Sequence, residues 1–388
     1  MKRAMIKIVC TLMIFLVSMQ IVTIAMPGSG DILSNSPDTN DGNKWRIGYC
    51  ESEPFLNFTG SLYGLIFGLN ESGWISVNLE EMPYEIGQED SLIMWNWLAA
   101  QDTGPYIEFV QDAYYSLYRP GDEEAVHKRL TETKDIDLMV AKGTYAGRLL
   151  SNDDHNTPVM VFSTTNAVSA GIIKSDIDSG RDHIWAHMDS DRYKRQIQVF
   201  YDIFQFKKLG VVYEDSPVGR IYAALDDIEE LADILGYEVI TYTVDEARDD
   251  EDRERYHREV LEAHKKLATQ VDAMYLTAGT RDINKISYLL TPFYEAGIPV
   301  FSQLGAQEVR HGALLSLYRA DFSGIGRFGA DNVTRVLKGA KPRELSQIYG
   351  DTPSIVLNLK VADRIGYKAP FEILLSADEI YNRIEGEY

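Results

Sequence analysis

Three short apolar runs in the back half of the chain each break into a polar, glycine-containing loop and then a helical pattern. They are residues 209–213 (LGVVY, then EDSPVGR), 273–276 (AMYL, then TAGTRD) and 299–301 (PVF, then SQLGAQE). Apolar runs too short for helices, alternating with helix-period segments, predict buried parallel strands of a doubly wound α/β sheet. Such sheets take ligands just beyond the carboxyl ends of their strands, so the three polar loops are candidate site elements.

The same pattern predicts strands at WRIGYC (45–50), IDLMVAKG (136–143), PVMVF (158–162), EVITYTV (238–244), LLSLY (314–318) and SIVLNL (354–359). Helices are expected near 123–134, 193–206, 219–235, from 245 onward, and at 282–296, 324–337 and 375–384. The stretch 74–119 is rich in Tyr and Trp; a helix over 106–118 with its aromatics in the core accounts for it better than an aromatic ligand box. The polar, turn-rich residues 174–192 read as a passage between two lobes. One lobe is expected to hold 45–173 with 322–341, and the other 184–318 with 350–388.

Composition adds a compartment. Lys2, Arg3 and Lys7 precede an apolar stretch from Ile8, and Thr23-Ile24-Ala25 puts small residues at a cleavage position, so 1–25 read as a signal peptide. The run is also long enough to be weighed as an uncleaved anchor. Residues 26–44 read as a flexible tether. Loss of the three leader cations takes the formal charge from −21 to −24, which disfavours nucleic acid and an anionic membrane surface. Cys50 is then the only cysteine, so no internal disulfide is expected. No nucleophile elbow, phosphate loop, His-Glu-x-x-His or cysteine pair is present, and neither an enzyme nor a cofactor is assigned. His183 and His187, beside Asp182 and Asp189, have metal-ligand spacing only if they share a helix, and no metal is assigned.

From about Leu138 onward the chain resembles the ABC-transporter substrate-binding proteins of the tryptophan/tyrosine type, which are exported type I periplasmic binding proteins. The match is carried by DLMVAKGTYA (137–146), TPVMVFSTTNAVSAGII (157–173), LGVVYEDS (209–216), VDAMYLTAGT (271–280), AGIPVFSQ (296–303), GALLSLYRADFSGIGRFGADNVTRVLKGAKP (312–342) and IVLNLKVADRIGYKAPFEILLSADEI (355–380). The resemblance implies two doubly wound parallel-sheet α/β lobes, with a small molecule held in the cleft between them. It also implies a membrane permease as partner or, in a sensory relative, a membrane kinase or cyclase; a monomer is expected. In family members that bind aromatic amino acids, acidic residues hold the ammonium group. Asn166 and Gly279 stand at those positions here.

The strand-end loops supply hydrogen-bonding groups and no catalytic set. Ser52, Thr144, Tyr145, Thr165, Asn166, Tyr213, Ser216, Gly219, Arg220, Thr277, Thr280 and Gln303 are the candidate ligand contacts, with Phe55, Ser163, Thr164 and Ser302 beside them. Arg220 and the helix start at 143–145 favour negative or carbonyl oxygen. The expected ligand is therefore a neutral or carboxylate-bearing organic molecule with an aromatic ring against Tyr145 or Tyr213.

Overall fold

The computed structural model describes residues 36–85, 88–247, 250–277, 282–317, 322–350 and 354–387. The expected signal peptide and the start of the tether lie outside them. Among the described residues, no helix is long and apolar enough to cross a membrane.

Two sheets form. The first contains β1 (Trp45–Glu51), β2 (Ile107–Ser116), β3 (Leu138–Lys142), β4 (Val159–Phe162) and β5 (Ile184–Ala186), in the order β2-β1-β3-β4-β5 with every pair parallel. The second contains β6 (Lys208–Glu214), β7 (Glu238–Val244), β8 (Ala273–Leu276), β9 (Val300–Ser302), β10 (Leu315–Ser316), β11 (Ile355–Asn358) and β12 (Ala377–Tyr381). Its order is β12-β11-β10-β9-β8-β6-β7, and only β10 and β11 pair antiparallel.

β3, β4 and β8 are buried along their whole length, as strands covered on both faces must be. Alternate residues of the first sheet feed two separate cores. Tyr49, Val140 and Phe162 join Trp95 and Trp185 on one face, while Cys50, Ala141 and Val161 join Ile172 and Ile184 on the other.

The first core is completed by a helix from far along the chain. Helix Leu56–Glu71 meets helix Ser323–Leu337 along a seam of glycines. A Cβ on Gly326 would stand 2.1 Å from the Gly64 carbonyl oxygen, and one on Gly64 would stand 2.3 Å from that of Phe322. Only hydrogen fits there.

The chain passes between the lobes after β5, after β10 and before β11. Two of these crossings are tied together: Met188 N–H donates to Gln347 O at 2.7 Å, and Tyr349 N–H donates to Met188 O at 3.0 Å.

Several expectations are corrected. Residues 107–116 form a strand and not a helix, and their aromatics do go to the core, where Tyr49 stacks on Tyr114 with ring centroids 5.3 Å apart. Ile184–Ala186 is the edge of the first sheet, so the second lobe begins later than residue 184. The expected helix at 219–235 divides into Pro217–Tyr222 and Leu225–Leu235, with Ala224 between them at φ 51°. Residues 375–384 contain the end of helix Phe371–Ser376 and then β12. The described end of the expected tether is pinned: Asn40 Nδ2 donates to Asp137 Oδ1 at 3.2 Å, and Trp45 Nε1 donates to Asp38 O at 3.0 Å.

Candidate ligand cleft

Strand-end residues of both lobes and three crossing segments surround a cavity of about 440 Å³. Ser52 after β1, Thr144 after β3 and Ser163 to Thr165 after β4 form the first-lobe wall. Leu304 and Leu317 follow β9 and β10 on the opposite side, and His187, Phe322 and Tyr349 come from the crossings. The volume suits a small organic molecule.

The local backbone exposes these groups. Gly143 has φ 87°, and a Cβ there would lie 2.4 Å from the Phe58 ring and 2.6 Å from Ser52 Oγ. Glycine therefore lets Thr144 start its helix against the cavity floor. Ser52 is committed to that floor, since its hydroxyl donates to Lys142 O at 3.2 Å and accepts from Ala146 N–H at 3.0 Å. Ser163, at φ 58°, donates to Ser61 Oγ at 3.0 Å. The hydroxyls of Thr144 and Thr164 are buried without a hydrogen-bond partner. Each such group costs about 1–3 kcal/mol, which a ligand that bonds to it recovers.

Charge is unevenly spread. Arg195 is held by both Asp189 oxygens at 2.7 and 2.8 Å, and the Arg192 guanidinium lies 5.2 Å from the Tyr193 ring centre. His187 Nε2 is 2.8 Å from Tyr349 O, and burial holds its imidazole down at about 4, so it is neutral near pH 7. A recess of about 40 Å³ adjoins the cavity and shares Glu53, Phe55, Tyr222 and Leu304 with it. Among the described residues, its charged lining is Glu53, Glu89, Glu214, Glu308 and Arg253. Burial pushes the Glu89 carboxyl up to about 7 and the Glu308 carboxyl up to about 8.

The expected contacts divide accordingly. Ser52, Thr144 and Thr165 line the large cavity, with Phe55, Ser163 and Thr164. Tyr213, Gly219 and Thr277 line the recess, where a Cβ on Gly219 would be 2.2 Å from Glu214 O. Thr277 Oγ1 is also occupied, donating to Val212 O at 2.9 Å.

Other expected contacts lie elsewhere. Tyr145 is turned outward, 40% exposed, and bonds Glu123 at 2.9 Å, because it follows the inward-facing Thr144 on a helix. Asn166 Oδ1 accepts from the N–H groups of Val168 and Ser169 and so caps a turn. Ser216 Oγ accepts from Gly219 N–H at 2.9 Å as a helix cap. Arg220 is taken by Asp226 at 3.0 Å and by Glu229, and it does not line the cleft. Gln303 is buried, its Nε2 donating to Tyr222 O at 3.0 Å. Thr280 and Gly279 lie outside the described residues.

His183 and His187 flank β5 instead of sharing a helix. Among the described residues, no group of His, Cys, Asp and Glu has metal-binding geometry. The residues that sequence reasoning missed are the crossing-segment groups His187, Arg192, Phe322 and Tyr349, and the acids of the recess. The polar passage at 174–192 was a visible signal for the first of these, but its apparent role as a plain connection hid it.

The model of the ABC transporter substrate binding protein family matches residues 115–381. No curated protein matches this chain. Among solved structures, a conserved domain protein from Vibrio cholerae shares 18% identity, with TM-score 0.64, 87% of this chain covered and 100% of the other. An ABC domain from Streptococcus pneumoniae in complex with L-Trp has 17% identity and TM-score 0.65, with the same coverage of 87% and 100%. A ligand-free, open substrate-binding protein with adhesive properties from Clostridium difficile has 15% identity and TM-score 0.58, covering 87% of this chain and 100% of the other. These likenesses describe the fold, whereas the family model spans most of the chain: this protein belongs to the ABC transporter substrate-binding proteins.

Proposed function

We propose that this chain is the exported solute receptor of an ABC-type uptake system, closing its two lobes over a small organic molecule and handing it to a membrane permease. The observation that carries the reading is the cavity of about 440 Å³ between two α/β lobes, walled by the strand ends of both. Closure would bury the ligand's apolar surface, and the unpartnered Thr144 and Thr164 hydroxyls would fix its orientation. The leader at 1–25 supports export. The pairing of two crossings through Met188 supports a hinge between the lobes.

Thermal-shift screening of amino acids, organic acids, purines and amines tests binding, followed by calorimetry on each solute that raises Tm. Ligand-dependent uptake into vesicles carrying the permease tests delivery. If no solute of any class binds, the reading fails; if binding occurs without uptake, the delivery step fails alone.

A further inference from the structure

His155, in the loop between helix Thr144–Leu150 and β4, is buried. Its Nε2 lies 3.1 Å from Leu150 O and so carries the ring proton. Nδ1 is then a bare lone pair, buried with no hydrogen-bond partner. His183, the residue before β5, stands edge-on to it with ring centroids 5.2 Å apart. His183 Nε2 bonds Asn152 O at 2.9 Å, and Arg181 Nε donates to Asp153 Oδ1 at 3.1 Å. These contacts fasten the passage that begins at residue 174 to the first lobe. A proton on His155 Nδ1 would put a cationic N–H in a buried site without an acceptor, beside a second ring open to the same change.

Burial and then the neighbouring ring hold the His155 imidazole below its usual range, and burial does the same to His183. Among the described residues, Asp153, Asp154 and Asp182 face the pair and favour its protonation, while His127 and Arg181 oppose it. Burial outweighs the three acids.

The other side of the passage is fastened differently. Arg343 Nε donates to Asp178 Oδ1 at 2.8 Å, and Lys341 Nζ donates to Asp182 Oδ2 at 2.7 Å. Gln347 Nε2 donates to the Ser175 and Asp176 carbonyls at 3.1 and 3.0 Å. The hydrogen bonds from Arg343 and Lys341 hold the two carboxyls below the usual range, so both stay charged in mild acid. Gln347 O also accepts from Met188 N–H, so this side belongs to the paired crossings.

From this asymmetry we infer that residues 174–183 form a latch, which mild acid releases from the first lobe while leaving it attached to the crossing segment 341–347. The inference goes beyond the solute-receptor reading and does not depend on it. A solvated histidine takes up its proton at about pH 6.5, and the two docked rings do so only at lower pH. The open form therefore binds more protons across that window. Docking is fully favoured above about pH 6.5 and weakens as the pH falls below it.

The test is hydrogen–deuterium exchange of the whole protein at pH 7.5 and pH 5, with each rate corrected for the intrinsic rate at that pH. Protection of peptides covering 151–159 and 174–184 is expected to fall at least about tenfold at pH 5, with β6, β8 and β9 of the second lobe as the unchanged reference. His155→Gln and His183→Gln each keep a donor for the bonded carbonyl and cannot titrate. The double variant should keep its protection at pH 7.5 and lose most of the pH dependence. If it folds poorly, each single variant should show a smaller fall than the wild type. Equal wild-type protection at both pH values overturns the inference, as does a fall that persists undiminished in the variants. A loss shared by both lobes would be global unfolding and would overturn it too, and equal loss in 341–347 would refute the one-sided release.

Discussion

Glu51 and Lys142 stand opposite each other in register at the carboxyl ends of β1 and β3, and both are completely buried. The Tyr49 and Tyr114 hydroxyls donate to Glu51 at 2.9 and 2.5 Å. Lys142 Nζ donates to Ser61 Oγ at 3.0 Å and lies 4.3 Å from the centre of the Phe162 ring. Ser61 in turn accepts from Ser163 on the cavity wall, so the buried pair is two hydrogen bonds from the cleft.

That pair sets a pH dependence. Burial lowers the Lys142 ammonium to about 7, partly opposed by Glu51, and raises the Glu51 carboxyl to about 7. An unfolded lysine keeps its proton to about pH 10.4, so the unfolded chain binds more protons between about 7 and 10. Stability therefore rises with pH across that window, and the cost of the buried ammonium is full below it. Lys142→Met is expected to stabilise the protein by about 1–4 kcal/mol near pH 5.5, where Glu51 holds its proton, and by less near pH 9. Calorimetric unfolding at the two pH values checks this; a variant less stable at the lower pH would contradict it.

Thr164→Val should separate binding from folding. The Thr164 hydroxyl is buried and unpartnered, so an isosteric methyl is expected to leave unliganded stability unchanged or raise it by about 1 kcal/mol. Affinity for a solute found by screening should fall several-fold. Unchanged affinity would show that the hydroxyl does not meet the ligand.

The glycine seam gives a prediction about packing. Gly326→Ala places a methyl 2.1 Å from the Gly64 carbonyl oxygen, which neither helix backbone can escape without moving. A loss of about 1–3 kcal/mol is expected from overpacking. Urea unfolding of the variant measures it, and wild-type stability would mean that the seam opens freely.

Cys50 should be inert in the folded protein. It is buried, and burial together with Glu51 pushes its thiol up. In a Cys10→Ser background, Ellman's reagent is expected to label one thiol per chain only after denaturation. Rapid labelling of the native protein would count against the packing of that core.

The buried strands were legible because β3, β4, β6, β8 and β9 are apolar runs bounded by turn residues. β2 was not, and its pairing shows why. Ile47 pairs with Phe109 and Tyr49 with Tyr114, so the strand carries extra residues against its partner and its alternation breaks midway. The tail was misread for a related reason: LLSADEI changes from helix to strand at Ala377 with no proline or glycine to mark the change. For the site, strand ends could be read from sequence, but side-chain direction could not. Thr144 and Tyr145 are adjacent, yet one lines the cavity and the other bonds Glu123 at the surface. Arg220 looked like an anion-binding group, but its partners Asp226 and Glu229 lie six and nine residues further on, beyond the break at Ala224 that divides the expected helix.

Helix Ser323–Leu337, which completes the first core, is made after strands β6 to β10 of the second lobe. As the chain emerges from the ribosome, the glycine face of Leu56–Glu71 waits bare for some 250 residues, its carbonyls open to any passing helix. The lobe that is begun first thus stays incomplete while most of the other is made. A chain cut short before residue 323 would lack a folded first half as well as its missing end.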